Sequence, residues 1–269
     1  MPLLALLIIV GVLLFFAGRF IVSALHKRRL LRRPLTADQR AIIAACVPLS
    51  RRLPSALRPR YEGKINLFLD QVEVFGYEGV EVTEAMRLSI AAQACLLIAG
   101  TTAWYDSLRT ILLYPSAFRS MQKRREGYVI REHNQTRLGE SWRYGPVILS
   151  WQHSREGAED ANDGKNVVIH EFAHQLDGLS GDVNGVPTLA QGQSFAQWEA
   201  VFLDAYSRLV ADVARGTRSV IDGYGATNHQ EFFAVCTEVF FERPADLKAE
   251  EPALYAQFST LFQMDPAAW

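Results

Sequence analysis

The sequence predicts an α+β domain carried behind one N-terminal transmembrane helix. Three observations predict it. Residues 3–18 are an uninterrupted apolar run that residues 20–25 extend past Arg19. Apolar stripes at helical spacing recur in 62–74, 84–99, 166–178 and 231–242. Short apolar runs at 110–115, 127–131 and 146–151 read as strands.

The N-terminal run comes first. A bilayer-spanning helix needs about 20 apolar residues. Residues 3–18 alone fall short, and 3–25 reach that length, with Arg19 able to snorkel to the interface. The basic run His26-Lys27-Arg28-Arg29-Leu30-Leu31-Arg32-Arg33 follows. Positive charge on that side places it in the cytoplasm and suits anionic headgroups. The expected location is therefore membrane-anchored with the main domain in the cytoplasm; a wholly cytoplasmic chain is the alternative. A secretory signal would need a basic start, which Met1-Pro2-Leu3 lacks, although Val22-Ser23-Ala24 resembles a cleavage site. The expected division is 1–26 anchor, 27–58 basic proline-containing connector and 59–269 main domain.

Composition narrows the partners. A formal net charge of -1 over 269 residues offers no electrostatic case for nucleic acid. Cys46, Cys95 and Cys236 are widely spaced, odd in number and flanked by apolar residues, which predicts free buried thiols.

In the middle of the chain, a short helix is expected at 37–46 and an amphipathic one at 62–74. Thr83 reads as the N-cap of a third helix, 84–99, whose small residues Ala91-Ala92-Gln93-Ala94-Cys95 require close packing. The strand candidates follow, and the last precedes a polar stretch, 154–165, expected as a solvated loop. A sheet leading into the next helix would let its edge strand hold an extended peptide.

That next helix carries the chemistry. Asn162-Asp163-Gly164 is a turn signal, Asn166 a helix cap, and Val168, Ile169, Phe172, Ala173 and Leu176 a buried stripe. Within it lies H-E-x-x-H, as His170-Glu171-Phe172-Ala173-His174. Residues i and i+4 share a helix face, so both imidazoles can bind one metal ion. Glu171 can take a proton from water at that metal and return it to a leaving amine. This is metallopeptidase chemistry with Zn²⁺ as the expected cofactor and a peptide or protein as substrate.

A hydrolytic zinc keeps three protein ligands and one open position. Residue 180, where a third histidine would complete one known pattern, is Ser180. Asp177, His229, His133, His153 and Glu231 remain. Asp177 is so close in sequence that it better orients a histidine or caps the turn. Glu231 begins a mostly apolar helix closed by Arg243-Pro244, where a carboxylate is costly to bury unless paired or metal-bound. It is the strongest candidate; Glu238, seven residues on, shares its face and can hydrogen-bond a ligating histidine. Tyr224, between Gly223 and Gly225, can project from a turn to steady an oxyanion, or simply pack.

These residues, with Arg60-Tyr61-Glu62-Gly63-Lys64, Ile90-Ala91-Ala92-Gln93-Ala94-Cys95, Leu113-Tyr114-Pro115-Ser116 and Gly139-Glu140-Ser141-Trp142, resemble the Mlc titration factor A family of zinc peptidases from about residue 35 onward. The resemblance implies a zincin-like fold and one zinc. It puts ligands at His170, His174 and Glu231, the general base at Glu171 and the active-site tyrosine at Tyr224. It also implies a transcriptional repressor as a possible partner, through a soluble family member that binds the glucose-regulating repressor Mlc. The apolar segment 3–25 departs from that member.

Overall fold

A computed structural model describes residues 2–116, 118–126, 129–137, 139–141, 145–181 and 184–269, with side chains described at 9–116, 145–181 and 184–269. Helix α1 (Pro2–Arg32) is apolar on all sides over its described residues 9–25, apart from Arg19 and Ser23, and turns basic from His26. Its described side chains stand clear of the domain up to Leu25, with Phe20 76% exposed. Within it, Ile9–Arg32 is long and apolar enough to cross a membrane by length and composition, with a mean hydropathy of 2.0.

The next segment, expected as a partly structured connector, packs into the core. Thr36 caps α2 (Ala37–Cys46) in a capping box with Gln39. Leu35, Ile43, Val47, Leu49 and Leu53 are buried. Helix α3 (Arg58–Gln71) starts earlier than its apolar stripe suggested, because Pro59 suits a first turn. It also stops earlier: Glu73–Gly76 is strand β1, not helix. Pairing outweighs the helical pattern there, and the Glu73 N–H donates to the Arg109 carbonyl at 2.9 Å.

Helix α4 (Glu84–Leu97) begins at the Thr83 cap and is buried without a break from Leu88 to Leu97. Its small residues admit two tyrosines, whose hydroxyls donate to the Ala92 carbonyl (Tyr61, 3.0 Å) and the Ala94 carbonyl (Tyr105, 2.8 Å). Lys64 closes its C-terminal end by donating to the carbonyls of Ile98, Thr101 and Ala103 at 2.6, 2.9 and 3.0 Å.

Strands β2 (Thr110–Tyr114), β3 (Phe118–Glu126), β4 (Val129–Arg137), β5 (Gly139–Ser141) and β6 (Val147–Ser150) follow. The main sheet has the order β1-β2-β6-β5, parallel except for β5 at one edge. Ile111, Leu113, Val147 and Leu149 point into the core. The strand expected at 127–131 lies elsewhere: among the described residues β4 pairs with β3 alone, in a separate hairpin. Gly127 and Tyr128 of that expectation, and Trp142 of the family resemblance, fall outside the described residues.

The stretch expected as a loop is half helix, α5 (Trp151–Glu159). Its buried face is Ser154, Gly157 and Ala158, too small and polar to show as an apolar stripe. Helix α6 (Val167–Asp177) then packs against α4 and α8 (His229–Glu242) and runs beside β5. Between them comes α7 (Phe195–Arg215), which was not anticipated although Trp198, Phe202, Ala205 and Leu209 bury at helical spacing. Helices α9 (Pro244–Glu250) and α10 (Pro252–Phe262) complete the chain, with Trp198 stacked on Phe258 at 5.5 Å between ring centres. The domain is mostly helical around a small, largely parallel sheet. Cys95 and Cys236 are buried free thiols, and Cys46 is free and half-buried.

Candidate metal centre

Local sequence aims the two histidines. The Asn166 side chain accepts the Ile169 N–H at 3.0 Å and starts α6 at a fixed place. Val168, Ile169, Phe172 and Ala173 are fully buried, so the helix cannot rotate without exposing them. Phe172 packs on Phe68 and Tyr105 at 5.7 and 5.0 Å between ring centres. His170 and His174 are then carried on the side that meets α8.

Helix α8 supplies the carboxylates. Asn228 caps it by accepting the Glu231 N–H at 2.9 Å. Glu231 Oε2 lies 2.9 Å from His170 Nε2 and 3.6 Å from His174 Nε2, while the two Nε2 atoms are 3.2 Å apart. One turn pair further along, Glu238 Oε1 is 2.8 Å from His170 Nδ1. Its other oxygen accepts the Asn166 backbone N–H at 2.5 Å.

The proton count decides what this cluster wants. Nδ1 of His170 donates to Glu238, which turns the Nε2 lone pair toward Glu231 and His174. Three electron-rich atoms then face one another, and that arrangement requires positive charge. Burial works against charge on His170, yet the carboxylates of Glu231 and Glu238 outweigh it and raise its pKa well above the usual histidine value. Burial would raise Glu231, but the hydrogen bonds from His170 and His174 hold it well below the usual carboxylate range.

A divalent cation meets the need with all three groups at once. Donors 2.0–2.1 Å from a tetrahedral ion stand roughly 3.3 Å from one another. The observed 2.9, 3.2 and 3.6 Å bracket that distance. Two imidazoles and a carboxylate are a donor set suited to Zn²⁺. His170, His174 and Glu231 form a cluster that fits a metal ion.

The remaining expected residues lie around this set. Glu171 is 5% exposed, and its charge reaches His170. Tyr224 sits on a 3-10 turn, Gly223–Thr227, with its ring centre 6.1 Å from that of His170 and 55% of its surface exposed. Asp177 is fully buried, and its Oδ2 accepts the Gly185 N–H at 2.7 Å. The orienting bond it was expected to make with a histidine is not found among the described residues, where His174 Nδ1 has no partner. Of the two roles expected of it, Asp177 is placed for the other, holding the turn after α6. At Gly185 (φ +82°), a Cβ would stand 2.5 Å from the His229 carbonyl. His153 bonds Ser150, and His229 packs on Tyr206 with 4.5 Å between ring centres. The side chain of His133 falls outside the described residues.

Two supports escaped sequence reading. Glu242 accepts the Asn166 side-chain amide at 3.0 Å and the Gly164 N–H at 3.1 Å, joining the end of α8 to the start of α6. Burial pushes its carboxyl up to about 9. Its place, four residues after Glu238 on the same helix, was the readable signal. The Tyr224 turn leans on the unanticipated α7, where Cβ atoms at Gly223 and Gly225 would meet Val213 and Leu209 at 3.3 and 3.2 Å.

The chain resembles known proteins over nearly its whole length. An uncharacterized protein of Synechocystis sp. is 40% identical, covering 90% of this chain and 89% of the relative. The Mlc titration factor A of Klebsiella pneumoniae is 31% identical, covering 84% and 86%, and that of Yersinia pestis 30% identical, covering 82% and 83%. The family described as glucose-regulated metallo-peptidase M90 matches residues 22–263. With its two histidines and one glutamate gathered at a single point, the chain belongs to that metallopeptidase family.

Proposed function

We propose that the chain is a membrane-anchored zinc peptidase of zincin-like fold, with its domain in the cytoplasm. The observation that carries the reading is the convergence of His170, His174 and Glu231, whose facing lone pairs call for a cation. These three residues would hold Zn²⁺. Bound there, the ion supplies a Lewis acid that polarises a peptide carbonyl and makes water acidic near neutral pH.

The chain's own residues do the rest. Glu171 accepts the proton of the attacking water and returns it to the departing amine. Glu238 holds the Nδ1 proton of His170 and thereby keeps Nε2 free to ligate. Tyr224 donates its hydroxyl to the oxyanion of the tetrahedral intermediate. The outer edge of β5, beside α6, offers backbone groups that pair with an extended substrate. The anchor reading rests on the exposed apolar face of α1 and on the basic run after it.

The test is Glu171→Gln in the zinc-loaded protein against a mixed peptide library. Zinc should stay, by elemental analysis, while hydrolysis is lost; unchanged turnover removes Glu171 from the mechanism. A second reading, capture of a transcriptional repressor, is suggested by the titration of Mlc that the Klebsiella and Yersinia relatives are named for. Pull-down with the zinc-free His174→Ala variant separates the two: undiminished repressor capture supports sequestration.

A further inference from the structure

The base of α1 holds a cavity that peptide hydrolysis leaves unused. It has a volume of about 830 Å³ and opens between the last turn of α1, the start of α3 and the turn after α4. None of the three metal-site residues lines it. Five basic side chains do: Arg32, Arg40, Arg58, Arg60 and Lys64.

Against them stands one carboxylate, Glu62, and it is already engaged. Arg40 grips it through Nε and Nη2, each at 2.8 Å, and it also accepts the Leu35 N–H at 3.0 Å. Lys64 spends its protons on three carbonyls, which satisfies its hydrogen bonds but not its charge. Arg58 and Arg60 each place one nitrogen on a carbonyl, of Arg51 and Gly100. Their other guanidinium nitrogens, and Arg32, have no bonded partner among the described residues. Burial, with Arg60 and Lys27 nearby, pushes the Lys64 ammonium down to about 8. The wall therefore carries an excess of positive charge and spare planar donors, the chemistry that binds phosphate oxygens. Thr101, Thr102 and Ser55 add hydroxyls.

The cavity is fixed to the membrane helix. The backbone of Leu31 lies directly on α3 at Gly63, where a Cβ would stand 2.1 Å from the Leu31 carbonyl oxygen. Asn66 donates to the Arg33 carbonyl at 2.7 Å, and His26 meets Asp70 at 3.0 Å. At 1.5 Å per residue, the path from Leu25 to Arg32 is roughly 10 Å. The headgroup layer on each side of the hydrocarbon is about 5–8 Å deep. With Leu25 at the hydrocarbon edge, an opening lined by Leu31 and Arg32 would stand at the outer margin of that layer, where long basic side chains reach back toward the phosphates.

We propose that this cavity is a phosphate-ester site at the membrane face, placed to take the headgroup of an anionic phospholipid. The lipid source rests on α1 crossing the bilayer; the phosphate chemistry rests on the cavity alone.

The test uses the full chain in phosphatidylcholine nanodiscs with and without phosphatidylglycerol, reading retained lipid by native mass spectrometry. Phosphatidylglycerol should be held in preference to phosphatidylcholine, with about a tenfold loss in Arg32→Gln/Arg58→Gln. Arg28→Gln/Arg29→Gln, on the same helix but outside the cavity, should retain it. A second arm titrates the chain in phosphatidylcholine-only discs with glycerol 3-phosphate and follows the unfolding midpoint. A rise that disappears in Arg32→Gln/Arg58→Gln without lipid selectivity supports the site with a soluble phosphate ester as its ligand. Equal retention by both double variants with no rise overturns the proposal. So does an equal loss in both, which would assign retention to the basic run at large. Peptide hydrolysis should stay unchanged in Arg32→Gln/Arg58→Gln. Failure of the chain to enter discs sinks the anchor, and the glycerol 3-phosphate arm in solution then decides the cavity.

Discussion

Two buried polar clusters in this chain differ in one respect. At the end of α4, the Lys64 ammonium has three protons and finds three carbonyls, of Ile98, Thr101 and Ala103. Donors and acceptors match, and the chain closes the account itself. Between α6 and α8, His170 Nε2, His174 Nε2 and Glu231 Oε2 face one another within 2.9–3.6 Å. There the count closes only if an imidazole takes up an extra proton or a cation enters. The first cluster is a structural clasp; the second is built for something from outside. Burial alone does not separate the two roles; the balance of protons does.

The sharpest way to break this contrast is to remove the proton shuttle without disturbing the acceptors. Glu171→Gln should lower kcat by about 10²–10⁴-fold with zinc retained, read by steady-state kinetics beside metal analysis. Glu231→Ala removes one of the three facing atoms. Zinc content should then fall far below one per chain after dialysis, and full occupancy would place the third ligand elsewhere.

Lys64→Met attacks the other cluster. It strands three carbonyls at the helix end, so unfolding should become easier by about 3 kcal/mol or more, measured by denaturant titration. Zinc affinity per folded molecule should not change. Glu238→Gln is milder: it weakens the grip on His170 Nδ1, and metal affinity should drop about 10–100-fold in a competition titration.

The smallest effect concerns Glu242. Its folded pKa, about 9, lies above the ordinary 4.5, so the folded chain keeps a proton that the unfolded chain releases. Its contribution to stability is therefore present at low pH and declines as pH rises from about 4.5 to 9. Glu242→Gln should flatten that decline and raise the stability of the metal-free protein at pH 8, read by denaturant titration across the pH range. An unaltered pH slope would mean that Glu242 is ionised in the fold.

Parts of this arrangement were legible in one dimension. The stripe of Val168, Ile169, Phe172 and Ala173, the Asn166 cap and the i, i+4 histidines all follow from helical period and local capping. The same holds for Thr83 and α4. Where reading failed, tertiary pairing or small residues hid the signal. Glu73 left the helical pattern because β2 was available to pair with β1. Helix α5 buries Ser154, Gly157 and Ala158, which leave no apolar trace. In the basic, proline-containing connector, Leu35, Ile43 and Leu53 reach the core, a burial that scattered single residues do not announce.

By itself the sequence determined which side of α6 carries the imidazoles and which helix bears the carboxylates, since both depend on neighbours within a turn. Only the tertiary structure decided that Glu231 meets His170 across 61 residues, that Glu242 and Asn166 join the two helices, and that the arginines around Lys64 share one cavity. Those distances are set by how whole helix faces pack, and no local period encodes the separation of two helices.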